Sequence, residues 1–318
     1  MLTRDGTRGL RGRPTGRDGA STRLSSVQGT RCVPCSRARP WHARAAAGRD
    51  PGEHYSVGVL QDQPRTRRAA AGVRTPALWA DVREVAVGQA AQLGRPIVVL
   101  DLGGGTGELA VPLAALGPDT VAAITVVDPS PDALAALHRR AAESDVACRV
   151  TALQGDADTL AEIVPLGSFD VVCCHGVLEV VDDPAATLRA VSAALAPAGV
   201  VSLAAAGRLA AVLSRALVGE FDQAHVVLTG PTGSWGEGDP LPRRFDLHTL
   251  RALVNGAGLE VDGWRGTRVL SDLVPSVHVD TDAQRTALLA LEDTLAGHPA
   301  YPLLGELGAA LHVIARAG

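Results

Sequence analysis

From residue 76 onward the apolar positions of the chain fall into two alternating rhythms. The segment PALWADVREVAVGQAAQL (76–93) opens with proline, which suits a first helical turn, and spaces its apolar residues for a helix. RPIVVLDL (95–102) follows as a short unbroken apolar run, the pattern of a strand covered on both faces. The exchange then repeats. A helix in GELAVPLAALG, a strand VAAITVVD, a helix SPDALAALHRRAAES, a strand CRVTALQGD and a weaker helix near 158–164 lead to a strand FDVVCCH, a helix DPAATLRAVSAALA and a strand GVVSLAAA.

Beyond residue 206 the rhythm changes. RLAAVLSRALVGEFDQAHVVL reads as one long helical segment and runs into TGPTGSWGEGDPLPRRF, a Gly- and Pro-rich loop too long for an ordinary connection. The pattern returns with a helix near 247–257 ended by NGAG, a strand in LEVDGWRGTRVL, a last helix DAQRTALLALEDTLAG and a closing strand ALHVIAR. Continuous apolar strands alternating with helices predict a doubly wound, Rossmann-like α/β domain over 71–318, with a mostly parallel seven-stranded sheet. Residues 206–245 are expected to form a helical lid inserted after strand five.

Charge changes the picture only before this domain. Residues 1–70 carry 14 Arg against 5 acids, whereas 71–318 carry 16 Arg against 29 acids. Residues 1–70 are expected to form a disordered Arg-rich extension; the first 50, rich in Arg, Gly, Ser and Pro, sustain no apolar period and cannot bury enough surface to offset chain entropy. Three readings compete for them: an upstream extension from a misplaced start, which we favour, a basic arm for nucleic acid, and a transit peptide. The pair Cys32 and Cys35, with His42 nearby, resembles half a zinc site, but no second pair stands at metal-site spacing, so no metal is expected. Cys148, Cys173 and Cys174 sit in apolar strand-like segments as small hydrophobes. No apolar run suits a membrane span or a signal peptide, and a cytoplasmic protein is expected.

The candidate chemistry starts at the first strand-to-helix turn, LGGGTG (102–107), where an open α/β sheet usually meets its ligand. A dinucleotide fingerprint needs G-x-G-x-x-G, but Gly103 and Gly105 are followed by Glu108, and a count from Gly105 ends on Ala110. An NAD(P) oxidoreductase is disfavoured on this ground, and a catalytically silent cofactor-binding protein is the other alternative. What remains is an acid, Asp101, followed by Gly103, Gly105 and Gly107, which resembles the first motif of the class I S-adenosylmethionine-dependent methyltransferases. Asp128 ends the second strand, where an acid takes ribose hydroxyls in nucleotide-binding sheets. LQGDADTLAE resembles the segment of that family that reads adenine, which implies an acceptor in Asp156 and a ring-facing amide at Ala157. FDVVCCHGVLEVVDDP and LAPAGVVSL resemble its later motifs, with Ala198 in place of a glycine.

Outside the cofactor half, GVRTPALWADV, CHGVLEVVDDP, GTRVLSDLV, ALLALEDTLAGHPAY and LHVIAR resemble the bacterial tRNA 5-carboxymethoxyuridine methyltransferase family and its relatives. That resemblance implies S-adenosylmethionine as cofactor, with contacts at Arg74, Gly103, Gly104, Asp128, the Asp156–Asp158 turn and His175. Arg74 would pair with the cofactor carboxylate. The implied reaction is in-line methyl transfer to an oxygen or nitrogen, with His175 and Glu179 at the tip of strand four as candidate bases for acceptors that need one. The acceptor is either a modified tRNA uridine carboxylate or a small metabolite. The acidic body offers tRNA little beyond Arg243 and Arg244 in the lid. Trp235 is expected either to stack on an acceptor or to anchor its loop. Asp182 and Asp183 are expected to start the next helix, and His138 and His312 are given no role.

Overall fold

The computed structural model describes residues 76–317; the expectations for Arg74, for the Cys32–Cys35 pair and for the charged tail lie outside the described residues. In chain order the elements are α1 (Pro76–Leu93), β1 (Ile97–Leu102), α2 (Ala110–Ala114), β2 (Val121–Asp128), α3 (Pro131–Glu143), β3 (Val150–Gln154), α4 (Leu160–Ile163) and β4 (Phe169–His175). They continue as α5 (Pro184–Ala194), β5 (Leu195–Ala206), α6 (Arg208–Leu217), α7 (Phe221–Thr229), α8 (Leu247–Gly256), β6 (Leu259–Thr267), α9 (Asp282–Ala296), α10 (Tyr301–Gly305) and β7 (Ala310–Ala317). The seven strands form one sheet in the order β3-β2-β1-β4-β5-β7-β6. β1 to β5 pair in parallel, and β7 runs against both of its neighbours, so the sheet is mostly parallel.

The unbroken apolar strands divide their side chains between two cores. Ile97 and Val99 of β1 face the core that holds Leu78, Val82 and Ala86 of α1, while Leu100 and Leu102 face the core that holds Leu188, Val191, Leu250 and Val254 of α5 and α8. Cys173 and Cys174 fall on opposite faces for the same reason, since successive strand residues point opposite ways. Burying both faces is what makes continuous hydrophobic runs stable as strands in water.

Local signals set the helix starts. The Ser130 hydroxyl accepts from the Ala133 amide ahead of Pro131, and Asp183 accepts from the amides of Ala185 and Ala186 ahead of Pro184. Asp246 caps α8 through the Thr249 amide at 2.7 Å, and Thr281 with Gln284 closes a capping box on α9.

The segment expected as one helix over 208–228 is two. The chain breaks between α6 and α7 at Gly219, whose φ of +84° lies in the left-handed region that ends helices. The loop that follows is closed from within. Arg244 forms a two-pronged pair with Asp239 at 2.7 and 2.8 Å, and both side chains are buried. Burial alone would raise the Asp239 carboxyl, but the Arg244 bonds and the amides of Leu241 and Trp235 outweigh it and hold it below the ordinary carboxylate value. Among the described residues no helix is long and apolar enough to cross a membrane.

Candidate functional site

Strand order reverses between β1 and β4, and a cleft opens at the carboxyl ends of the strands there, as expected for an open α/β sheet. Its volume is about 640 Å³, a size suited to a nucleoside-bearing cofactor. Four successive strand ends supply its walls: Gly103, Gly105 and Thr106 after β1, Asp128 and Ser130 after β2, Asp156 to Asp158 after β3, and His175 with Gly176 at the end of β4.

The glycine turn is built mainly for itself. A Cβ on Gly104 would lie 2.5 Å from Asp101 Oδ2 and 2.6 Å from Val126, and one on Gly107 would lie 2.2 Å from Leu137. These positions need glycine because buried neighbours press against the loop from behind. Gly105 differs: it lines the cleft, and only Asp128 Oδ2, at 3.7 Å, and the Gly103 carbonyl, at 3.9 Å, lie near its missing Cβ. Asp101 is fully buried under the turn and does not line the cleft.

Asp128 joins two loops. One oxygen accepts from the Gly105 amide and the other from the Ser130 amide, each at 2.9 Å. A carboxylate has about four lone-pair sites, so two remain for ligand hydroxyls. Asp156 shows a similar division. Its Oδ1 accepts from the amides of Asp158 and Thr159 and from the Thr159 hydroxyl, bonds that hold the carboxyl below its ordinary value, while Oδ2 makes none of these bonds. Ala157 and Asp158 line the cleft beside it.

His175 lines the cleft although it is only 2 % exposed, and its Nε2 lies 2.9 Å from the Ser202 hydroxyl. Ser202 also lies 2.8 Å from Nε2 of His312, a residue that sequence reasoning passed over. The available signal was a polar residue flanked by apolar ones in each of two buried strands, Ser202 in VVSLAAA and His312 in ALHVIAR.

Four expected residues lie elsewhere. Glu179, expected as a base, is 1 % exposed, does not line the cleft, and accepts from the Ala206 amide at 2.6 Å. Burial pushes its carboxyl up to about 7, against the pull of that amide and of Arg244 and Arg243. Arg243 donates to the carbonyls of Leu178, Val181 and Asp182, which ties the insertion to the rim of the cleft. Arg244 is engaged with Asp239, and the Arg215 and Arg244 guanidiniums lie 4.6 and 4.4 Å from the centre of the Trp235 ring. Trp235 lines a separate small cleft with Arg244. No residue of 206–245 lines the main cleft. Burial, with Glu179 and Asp101 nearby, pushes the Cys174 thiol upward and removes it as a nucleophile.

Residues 100–201 match the sequence profile of a family described as a methyltransferase domain. The chain is 28% identical over 245 residues to the tRNA 5-carboxymethoxyuridine methyltransferase of Escherichia coli K12, covering 77% of this chain and 88% of that protein. It is 37% identical over 121 residues to a ubiquinone biosynthesis O-methyltransferase of Xanthomonas campestris, covering 38% of this chain and 48% of that protein. An uncharacterised Synechococcus protein is 35% identical over 159 residues, 50% of this chain and 36% of its own length. The chain thus spans half or less of the length of the first curated relatives it matches. Among solved structures, the plantazolicin methyltransferase BamL, in complex with a triazolic desmethylPZN analog and SAH, superposes with a TM-score of 0.51 at 13% identity, over 80% of this chain and 89% of that one. That likeness concerns the fold.

Proposed function

We propose that the protein is a class I S-adenosylmethionine-dependent methyltransferase that methylates an oxygen or nitrogen of a small acceptor, a reading supported by the match of residues 100–201 to a methyltransferase domain and by the Escherichia coli relative. The observation that carries the reading is the single cleft into which the glycine turn, Asp128, the Asp156–Asp158 turn and His175 all open. The residues fit the cofactor. Gly105 leaves backbone exposed for its amino acid end, Asp128 keeps lone pairs for two ribose hydroxyls, and Asp156 Oδ2 with the Ala157 amide suits the donor and acceptor edge of adenine. Arg74, by the family resemblance, would hold the carboxylate.

When bound, the cofactor supplies an electrophilic methyl on a sulfonium. The chain's part is to align and to manage one proton. Orientation of bound reactants can contribute about 7–11 kcal/mol. A hydroxyl or amine acceptor releases a proton on methylation, and His175, among the residues that line the cleft, is the proposed group to take it. Glu179, buried away from the cleft, instead holds the β5 end in place.

A small acceptor is favoured over tRNA because the paired arginines of the insertion are engaged internally, on backbone carbonyls and on Asp239. The tRNA carboxylate is the second reading, supported by the Escherichia coli relative, which matches over most of its length.

Calorimetric titration with S-adenosylmethionine and its demethylated product tests the cofactor seat. Binding by the parent is expected, with Asp128→Asn weaker by at least about tenfold, since an amide nitrogen would then oppose one of the two loop amides. A parent chain that takes up neither compound would sink the reading.

A further inference from the structure

The carboxyl edge of the sheet carries a smaller cleft beside the first. His175 of β4 stands opposite Ala204 of β5 in parallel register, so Ala206 ends one strand away from the turn that follows His175. Neighbouring strands lie about 4.8 Å apart. His175, Gly176 and Val177 line the methyl-transfer cleft, whereas Ala206 and Gly207 line the smaller one, of about 270 Å³. Glu179 stands where the two meet: residues on both sides of it in sequence line the first cleft, and its carboxyl accepts from the Ala206 amide at the second.

Two carboxylates hold the walls of the smaller cleft from behind. Asp239, its side chain 1 % exposed, takes the Arg244 guanidinium on both oxygens together with the amides of Trp235 and Leu241, and those three residues line the space. Glu292 of α9 accepts from the amides of Val269, Leu270 and Ser271, which fixes the turn between Arg268 and Asp272, two more lining residues. On α6, Ala210, Ala211 and Ser214 share a face at helical spacing, and their small side chains leave the space open.

The charges of this lining are already matched. Arg244 pairs with Asp239 and Arg268 with Asp272 at 3.2 Å, and the Ser214 hydroxyl donates to the Ala211 carbonyl. What faces the space besides is alanine, glycine and leucine surface and the Trp235 ring, against which the Arg215 and Arg244 guanidiniums lie. A charged ligand would give up hydration there without meeting an unmatched counter-charge. An apolar cavity of about 150 Å³ holds benzene, so a cleft of about 270 Å³ holds a ring or a fused pair.

We propose that this cleft seats the uncharged, ring-sized body of the methyl acceptor, while the acceptor's nucleophile reaches past the end of β4 into the methyl-transfer cleft. The acceptor role rests on the methyltransferase reading; the preference of the cleft for a neutral ring does not. Ala210, Ser214 and Trp235 set the shape that is selected, and Asp239 is a positioning residue that acts through Trp235 and Arg244.

Calorimetric titration of the full chain with naphthol, naphthoate and naphthylmethylamine at neutral pH tests the preference. Naphthol is expected to bind, with Overhauser contacts from its protons to the Trp235 indole, and the anion and cation to bind roughly tenfold or more weakly. Ala210→Leu and Ser214→Leu narrow this cleft at positions that do not line the first. In whichever variant keeps the parent's cofactor Kd, naphthol should bind roughly tenfold more weakly. Equal binding of the three probes, equal naphthol binding in parent and variants, or no naphthol binding by a parent that takes up cofactor overturns the inference. With S-adenosylmethionine, slow methylation of naphthol is expected: its oxygen bonds the methyl carbon, the sulfonium becomes a thioether and the hydroxyl proton is released. Naphthol that binds at Trp235 beside bound cofactor and is never methylated overturns the acceptor role. A parent that binds naphthol but no cofactor instead removes the methyltransferase reading, and the acceptor role with it.

Discussion

Glu179 shows how far burial can move one residue from the role its position suggests. Its carboxyl titrates at about 7 in the fold against 4.5 for the free group, with desolvation the main cause and its amide bond and the two arginines pulling the other way. Between those values the folded chain holds a proton that the unfolded chain releases, so this group's contribution to stability is whole below about pH 4.5 and is lost as pH rises through about 7. The loss is on the order of 3 kcal/mol. Glu179→Gln keeps the acceptor for the Ala206 amide and removes the titration. Thermal unfolding across this window should show the parent losing Tm relative to the variant, and an opposite sign would mean that the arginines govern the carboxylate. The burial of Glu179 was not legible from sequence because it depends on contacts with residues far along the chain, Ala206, Arg243 and Arg244. Asp128 was legible because its place, the end of a strand beside a glycine turn, is a local matter.

At the scale of elements, the strands were readable because both of their faces are buried, which leaves a continuous apolar trace in VAAITVVD and FDVVCCH. The insertion was less so. Only Gly219 marks the break between α6 and α7, and α10, five residues long, covers too little of a helix to show a period. The first residues of β5 contain a local conflict that can be tested. Ala198 has φ +60° and its carbonyl accepts from Gln89 at 2.8 Å, a conformation that an L residue adopts at a cost of about 1–2 kcal/mol. Ala198→Gly relieves that strain while adding freedom to the unfolded chain, so a net gain of about 0.5–1 kcal/mol is expected from urea unfolding. A loss of stability there would mean that the methyl group packs usefully.

At the scale of the whole molecule, charge and sheet order divide the question of partner from the question of chemistry. The body from 71 to 318 is acidic, and the insertion's arginine pair faces inward, so equilibrium binding to unmodified tRNA should be weak and should change little with salt. Tight binding that falls steeply with added salt would restore the tRNA reading. The contacts from His175 through Ser202 and His312 to Asp81 span β4, β5, β7 and α1, elements brought together only by the completed sheet, and separations such as the 231 residues between Asp81 and His312 leave no local trace in sequence. The glycine turn, by contrast, is finished before any ligand arrives: the amides of Gly103, Gly105 and Gly107 already bond Val127, Asp128 and Gly104. Ordering a backbone residue costs roughly 1–2 kcal/mol, and at this turn that cost is met during folding. Cofactor capture at the turn then becomes the docking of two rigid shapes, so its on-rate should track solvent viscosity, and differences in affinity among analogues should reside in how slowly each one leaves.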